Sequence, residues 1–175
     1  MSAMTTIPAG PWTVDDLDDF PEGTTTRYEL ADGALLVSAE PSLQHQRVNL
    51  KLARLLQDAA PPHLEVFLPV DVRLSPVRQL APDITVVRRE DATGRRIETP
   101  PLLVVEVLSP STRTVDLVFK RRVLEEAGVP SYWLVDPDDG LVTVLELTDG
   151  AYVEVVRGPD VTVERPFPVR VRLPR

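Results

Sequence analysis

The sequence predicts one α/β domain of the α+β type, a mixed central β-sheet flanked by helices. Three observations predict it. Apolar patterning switches between helical and strand periods in the order helix, hairpin, helix, three strands, helix, three strands. One strand candidate, Leu102 to Leu108, is apolar on both faces, as in the middle of a covered sheet. The length of 175 residues suits one domain with a sizeable core, and no repeat, low-complexity tract or linker divides it. The domain is therefore read as residues 1–175, with its core from about 25 to 157.

Residues 1–10 read as a loose N-terminus. Thr13 followed by Asp15 and Asp16 predicts a short capped helix, stopped by Pro21. Arg27 to Leu30 and Ala34 to Ser38 read as a hairpin turning on Asp32-Gly33. Ser42 caps a helix to Ala59, whose apolar stripe is Val48, Leu52, Leu55, Leu56 and Ala59. Strands are predicted over Glu65 to Leu74, Asp83 to Arg88 and Leu102 to Leu108, with a charged loop from Arg89 to Pro101. A helix from Thr114 to Ala127 ends at Gly128 and Pro130. Ser131 to Val135 is a strand. Leu141 to Leu147 and Tyr152 to Val156 form a hairpin around Asp149-Gly150. Residues 158–175 read as a Pro-rich tail or edge strand.

Composition excludes several classes of function. With no cysteine there are no disulfides, zinc-thiolate or iron–sulfur sites. No apolar run approaches the ~18 residues of a membrane span, and no secretory signal precedes the domain, so a cytoplasmic location without membrane partners is expected. The net charge of −8 argues against a general nucleic-acid coating protein. The charge is uneven, however. Residues 1–40 carry eight acids against one base, Arg27, whereas residues 78–122 carry nine bases against six acids. A locally positive surface can hold phosphate on an acidic protein. Seventeen of the nineteen basic residues are arginine, leaving Lys51 and Lys120 as the lysines. An ammonium kept against that bias suggests a position needing a compact, tunable charge.

Glu106 is the strongest single oddity. A carboxylate among Leu102, Leu103, Val104, Val105, Val107 and Leu108 costs several kcal/mol to bury unless it is paired or metal-bound. Asp83 follows Pro82 at the head of Ile84 to Val87, and two carboxylates on neighbouring strands can share a hard cation. Leu117, Lys120, Leu124 and Ala127 fall at i, i+3, i+7 and i+10, which turns Lys120 toward the sheet or to the border of the packed face. A bland alternative pairs it with Asp116 at i−4. Glu29 in the apolar hairpin and His45 in the first turn of the second helix are further candidates.

Tyr28-Glu-Leu-Ala-Asp-Gly33, Pro41-Ser-Leu-Gln-His45, Val70-Asp-Val-Arg-Leu74, Pro82-Asp83, Val104-Val-Glu-Val-Leu-Ser-Pro-Ser-Thr112, Asp116 with Lys120, and Ala127-Gly-Val-Pro-Ser-Tyr-Trp-Leu-Val-Asp-Pro137 together resemble the Uma family of endonuclease-like proteins. That family belongs to the PD-(D/E)XK restriction-endonuclease-like superfamily and was long a domain of unknown function. The resemblance runs from about Tyr28 to Val155. It implies a restriction-endonuclease-like fold, with Asp83 and Glu106 at the two acidic positions of the superfamily motif. It departs at Leu108, where the motif has lysine, and Lys120 on the following helix is the replacement candidate.

The implied activity is a metal-dependent endonuclease that hydrolyses phosphodiesters of nucleic acid, DNA in the first instance. Asp83, Glu106 and the Val107 carbonyl would hold magnesium or manganese. Lys120 would orient or deprotonate the attacking water and offset charge on the phosphate. Glu29 would position the ion or bind a second, and His45 would contact the phosphate or water. Arg113, Arg121 and Arg122 would hold the flanking backbone, and a homodimer would place two sites on two strands. Two rivals stand beside this reading: a nuclease-fold binding or assembly module without activity, and a metal-dependent phosphoesterase acting on small phosphates.

Overall fold

The computed structural model describes residues 10–20, 26–38, 40–110 and 112–173. Residues 1–9 of the expected loose segment 1–10, and the helix stop at Pro21, lie outside these. The first helix, α1 (Val14–Asp18), is fixed at its start by Asp16, which accepts the amide and the hydroxyl of Thr13, both at 2.7 Å. The hairpin β1 (Arg27–Ala31) and β2 (Ala34–Ser38) turns on Asp32 and Gly33, both at positive φ, which a two-residue turn of this twist requires. α2 (Leu43–Ala59) starts at Ser42, whose Oγ accepts the His45 amide at 3.2 Å.

The stretch predicted as one strand from Glu65 to Leu74 is two strands in two different sheets. β3 is Leu64–Phe67 and β4 is Val72–Ser75. Pro69 lies between them and has no amide to continue a ladder. A short strand that periodicity does not reveal, β5 (Arg78–Leu80), pairs with β4 and with β1. The charged loop 89–101 holds a single turn at Arg89–Asp91 and a bridge from Ile97 to Val72. β6 (Ile84–Arg88), β7 (Leu103–Val107), β8 (Ser131–Asp136), β9 (Leu141–Thr148) and β10 (Ala151–Gly158) follow the predicted positions closely.

The central sheet has six strands in the order β10-β9-β8-β7-β6-β3. It is mixed: β7 and β8 are parallel and the other pairs antiparallel. A second sheet, β2-β1-β5-β4, carries α1 through Trp12, Val14, Leu17 and Leu30. Side chains alternate across β7, so Leu103, Val105 and Val107 pack toward Val48, Leu52 and Leu56 of α2, while Val104 and Leu108 join Val123, Leu124 and Tyr132 on the other face. Glu106 shares the second face by the same alternation.

The tail corrects the expected boundary of the core. β11 (Asp160–Val163) and β12 (Val169–Arg172) form an antiparallel hairpin instead of a loose tail or edge strand. Val161, Val163, Phe167, Val169, Val171 and Leu173 join the same cluster as α2. Phe167→Ala is accordingly expected to cost about 3–5 kcal/mol, read as a lower urea midpoint. An unchanged midpoint would mean that the hairpin adds nothing to the core.

The third helix begins with a wide-turn segment, Val115–Lys120, bonded i→i+5, and continues as α3 (Arg121–Glu126). The wide turn shifts the packed face. Asp116 and Lys120 are buried, whereas Leu117, expected on that face, is exposed along with Val118 and Phe119.

Candidate active site

The register of β6 on β7 pairs Ile84 with Val105, so its next step sets Asp83 opposite Glu106. The Val107 amide donates to Asp83 Oδ2 at 2.9 Å, tying the two strands where they diverge. His45 Nε2 is 3.0 Å from the same oxygen, and Arg27 Nη1 donates to Asp83 Oδ1 at 3.2 Å and to the Ala81 carbonyl at 3.0 Å. An ionised carboxylate only accepts, so Nε2 of His45 is the donor. His45 Nδ1 is buried without a partner. Burial alone would raise Asp83, but the hydrogen bond and charge of His45, the Val107 amide and Arg27 together hold it below its ordinary value.

Lys120 lies at the centre of a second cluster. Its Nζ donates to Glu106 Oε1 at 2.9 Å and is 3.0 Å from Glu29 Oε1 and 3.2 Å from Asp116 Oδ1. The Asp116 pairing that looked like a bland alternative and the Glu106 pairing therefore occur together. Glu29 Oε1 also accepts the Ala81 amide at 2.8 Å. All five charged groups, Glu29, Asp83, Glu106, Asp116 and Lys120, are at most 3% exposed. Burial works to neutralise Lys120, yet Glu106, Glu29 and Asp116 outweigh it, and the ammonium is held protonated far beyond its usual range. Burial pushes Glu106 well above the ordinary carboxylate range against the pull of Lys120, with Asp83, Asp116 and Glu29 adding to the rise. Burial raises Asp116 too.

These groups line a cavity of about 220 Å³, together with Arg27, His45, Ser109 and Thr112. β1, α2, β7 and the wide-turn helix each bring at least one of them, and Asp83 comes from the position just before β6. The sequence-predicted residues Glu29, His45, Asp83, Glu106 and Lys120 are thus brought together. Val107 takes part through its amide on Asp83. Arg113, Arg121 and Arg122 are not in the cavity wall. Arg113 pairs with Asp136 at 2.5 Å, Arg121 donates to the Tyr152 carbonyl at 2.8 Å, and Arg122 pairs with Asp32. Sequence reasoning missed Arg27 as a site residue. Its signal was available, since it is the lone base in the acidic first 40 residues.

Among the described residues, no three His, Asp or Glu side chains form a ready-made metal cage. Lys120 Nζ occupies the space where Glu29, Glu106 and Asp116 converge. Nor is any described helix long and apolar enough to cross a membrane.

A family model described as "Putative restriction endonuclease", Uma2, matches residues 14–174. The chain belongs to the Uma2 family. No curated protein matches this Uma2 chain. A crystal structure described as that of a putative nuclease belonging to DUF820, from Anabaena variabilis, is similar to the Uma2 chain at a TM-score of 0.74. Sequence identity is 21%, over 89% of this chain and 90% of that one. At that identity the likeness shows a shared nuclease-type fold: a central mixed sheet flanked by helices.

Proposed function

We propose that this Uma2 chain is a metal-dependent endonuclease acting on DNA, with Asp83, Glu106 and Lys120 as its central residues. The single observation that carries the reading is the cavity in which Asp83 and Glu106 meet across neighbouring strands while Lys120 arrives from the following helix. Lysine two residues after the second acid would be Leu108, which is buried in the α3-side core. The ammonium comes from the wide-turn helix instead.

Donor type and charge both suit a hard divalent ion. Four carboxylates, Glu29, Asp83, Glu106 and Asp116, face the two permanent cations Lys120 and Arg27, so their full ionisation leaves carboxylate charge in excess. Magnesium is commonly held by one or two carboxylates plus water and substrate phosphate, so a complete protein cage is not required. Asp83 and Glu106, with the Val107 carbonyl, would hold magnesium or manganese, which polarises the phosphate and lowers the pKa of its water. Lys120, held as an ammonium, hydrogen-bonds the water or a phosphate oxygen and offsets negative charge developing there. Its raised pKa suits it to that role and not to the role of a base. His45 fixes Asp83 through Nε2. Glu29 and Asp116 hold Lys120 in place.

One such site cuts one strand, so double-strand cleavage takes two copies of the chain. The reading places the enzyme in the cytoplasm, with DNA as its partner. Purified protein incubated with supercoiled DNA should nick or linearise it with manganese or magnesium and leave it intact with EDTA. Cutting that persists in EDTA, or absent cutting under every ion, would remove the metal-dependent nuclease reading.

A further inference from the structure

A second hollow, of about 460 Å³, adjoins the carboxylate cavity and shares Arg27, Pro41, His45 and Asp83 with it as walls. Its remaining wall is the outer face of α2 together with Leu68 and Pro69. That wall is strongly apolar for a surface: Leu43 is 71%, Leu50 64% and Leu68 47% exposed. A contiguous exposed apolar patch marks a binding surface more often than chance. Asn49 also lines the hollow, more than nine-tenths buried, with Oδ1 lacking any hydrogen-bond partner.

The same helix face is basic. Leu43, Arg47, Leu50 and Arg54 recur at i, i+4, i+7 and i+11, which stacks leucines and arginines in one stripe, with Lys51 one turn from Arg47. Among the described residues, Arg47 and Lys51 have no ion-pair or hydrogen-bond partner. Arg54 has only a 3.8 Å pair with Asp58, both highly exposed. These cations are free in a chain of net charge −8, whereas Arg113, Arg121 and Arg122 are engaged elsewhere.

We propose that this surface seats the nucleotide next to the cleaved phosphate with its base unstacked, so that the chain acts on single-stranded or locally opened DNA. The inference rests on the nuclease reading above. Leu43, Leu50, Leu68 and Pro69 hold the faces of the base. Arg47 and Lys51 hold the backbone leading to Asp83. Pockets that take an unstacked base hold it between aromatic or apolar side chains, and grooves for single strands run a cationic track along the backbone. A paired duplex would first have to unstack that base, an expense a single strand does not meet.

Fluorescence anisotropy with a fluorescein-labelled mixed-sequence DNA oligonucleotide, single-stranded or fully paired, tests the proposal. Calcium is used as the divalent ion, since it takes the same oxygen ligands. The single strand is expected to bind about tenfold more tightly than the duplex, a difference of ~1.4 kcal/mol. Leu50→Ser and Arg47→Ala should each weaken single-strand binding several-fold, with thermal melts unchanged because both side chains are exposed. Val118→Ser, at an equally exposed apolar position on the other helix, should bind as wild type does. Equal binding of both DNA forms, or wild-type binding by Leu50→Ser and Arg47→Ala, would overturn the surface while leaving a DNA-binding protein. No binding of either DNA by the wild type would overturn the surface and the nuclease reading together.

Discussion

Lys120→Met is expected to abolish cutting and to destabilise the fold at the same time. Methionine replaces the aliphatic stem and removes the charge. Glu29, Glu106 and Asp116 then face one another without the ammonium that lies within 3.2 Å of each. Removing one partner from a buried ion pair costs about 3–5 kcal/mol because a charge is left uncompensated. The lysine is 3% exposed, so solvent cannot make up the loss. Activity should fall by about 10²–10³-fold, the scale for losing one electrostatic donor to a developing charge. Urea unfolding and a nicking assay on the same preparation separate the two effects. Lys120→Arg sharpens the test, because a flat guanidinium keeps the charge but lacks the compact three-way geometry. It should recover part of the stability and little of the cutting. A Lys120→Met protein that is less stable but cuts like wild type would reduce Lys120 to a structural ion.

Glu106→Gln is expected to lose cutting yet melt higher at neutral pH. Glutamine preserves shape and mimics the protonated acid. The folded pKa of Glu106 is raised, chiefly by burial. Between the ordinary carboxylate value and the raised one, the folded chain binds more protons than the unfolded chain. The stability Glu106 contributes is complete below its unfolded pKa and is lost as pH rises toward its folded pKa. Glutamine has no such loss, so its advantage over wild type should grow from acid to neutral pH in metal-free buffer. Asp83 works in the opposite sense. Its folded pKa is lowered, and its contribution, present above the unfolded value, is lost as pH falls through the folded one. Comparing melts of both proteins across that range isolates the Glu106 part. For activity, loss of a carboxylate that holds the ion should remove several kcal/mol of charge stabilisation, or about 10³-fold at ~1.4 kcal/mol per decade. A variant that melts lower than wild type at neutral pH would show that ionised Glu106 stabilises the fold.

The trade between stability and function is visible in the strand itself. Apolar residues at both 106 and 120 would match the five buried neighbours on β7 and its flanks, and a fold rid of the whole buried pair would gain from it. Glutamate at 106, with Lys120 buried beside it, is the kind of local conflict that marks a functional site.

Much of the candidate site was legible because its residues break local rules. Glu106 interrupts an apolar run, Pro82 sets Asp83 at a strand start, and Lys120 is one of two lysines among nineteen basic residues. The hairpin turns at Asp32-Gly33 and Asp149-Gly150 were legible because turn chemistry is local and both pairs adopt the positive φ values it demands. Arg27 stood out as the lone base of the first 40 residues, but its role was not legible, since its partners Ala81 and Asp83 lie more than fifty residues away. The basic excess of residues 78–122 pointed to arginines that the fold sets outside the cavity wall. Charge counts along a chain do not say which cations are already paired, and Asp32, Asp136 and the Tyr152 carbonyl engage these three.

The sequence by itself determined the alternation of helix and strand, the covered strand β7, and the set Glu29, His45, Asp83, Glu106 and Lys120, because periodicity, capping and an apolar context act over a few residues. Only the tertiary structure decided where the segments after Phe67 and Gly158 went. Pro69 splits one apolar stretch between two sheets, and the alternating valines of 160–172 find their partners on α2. It also decided which way Lys120 faces. The wide turn over Val115–Lys120 stacks Asp116 on Lys120 and turns Leu117 outward, a rotation that a count of 3.6 residues per turn does not contain. Packing around a buried ammonium with three carboxylate partners is a long-range balance of desolvation against charge, and that balance exists only once the chain is folded.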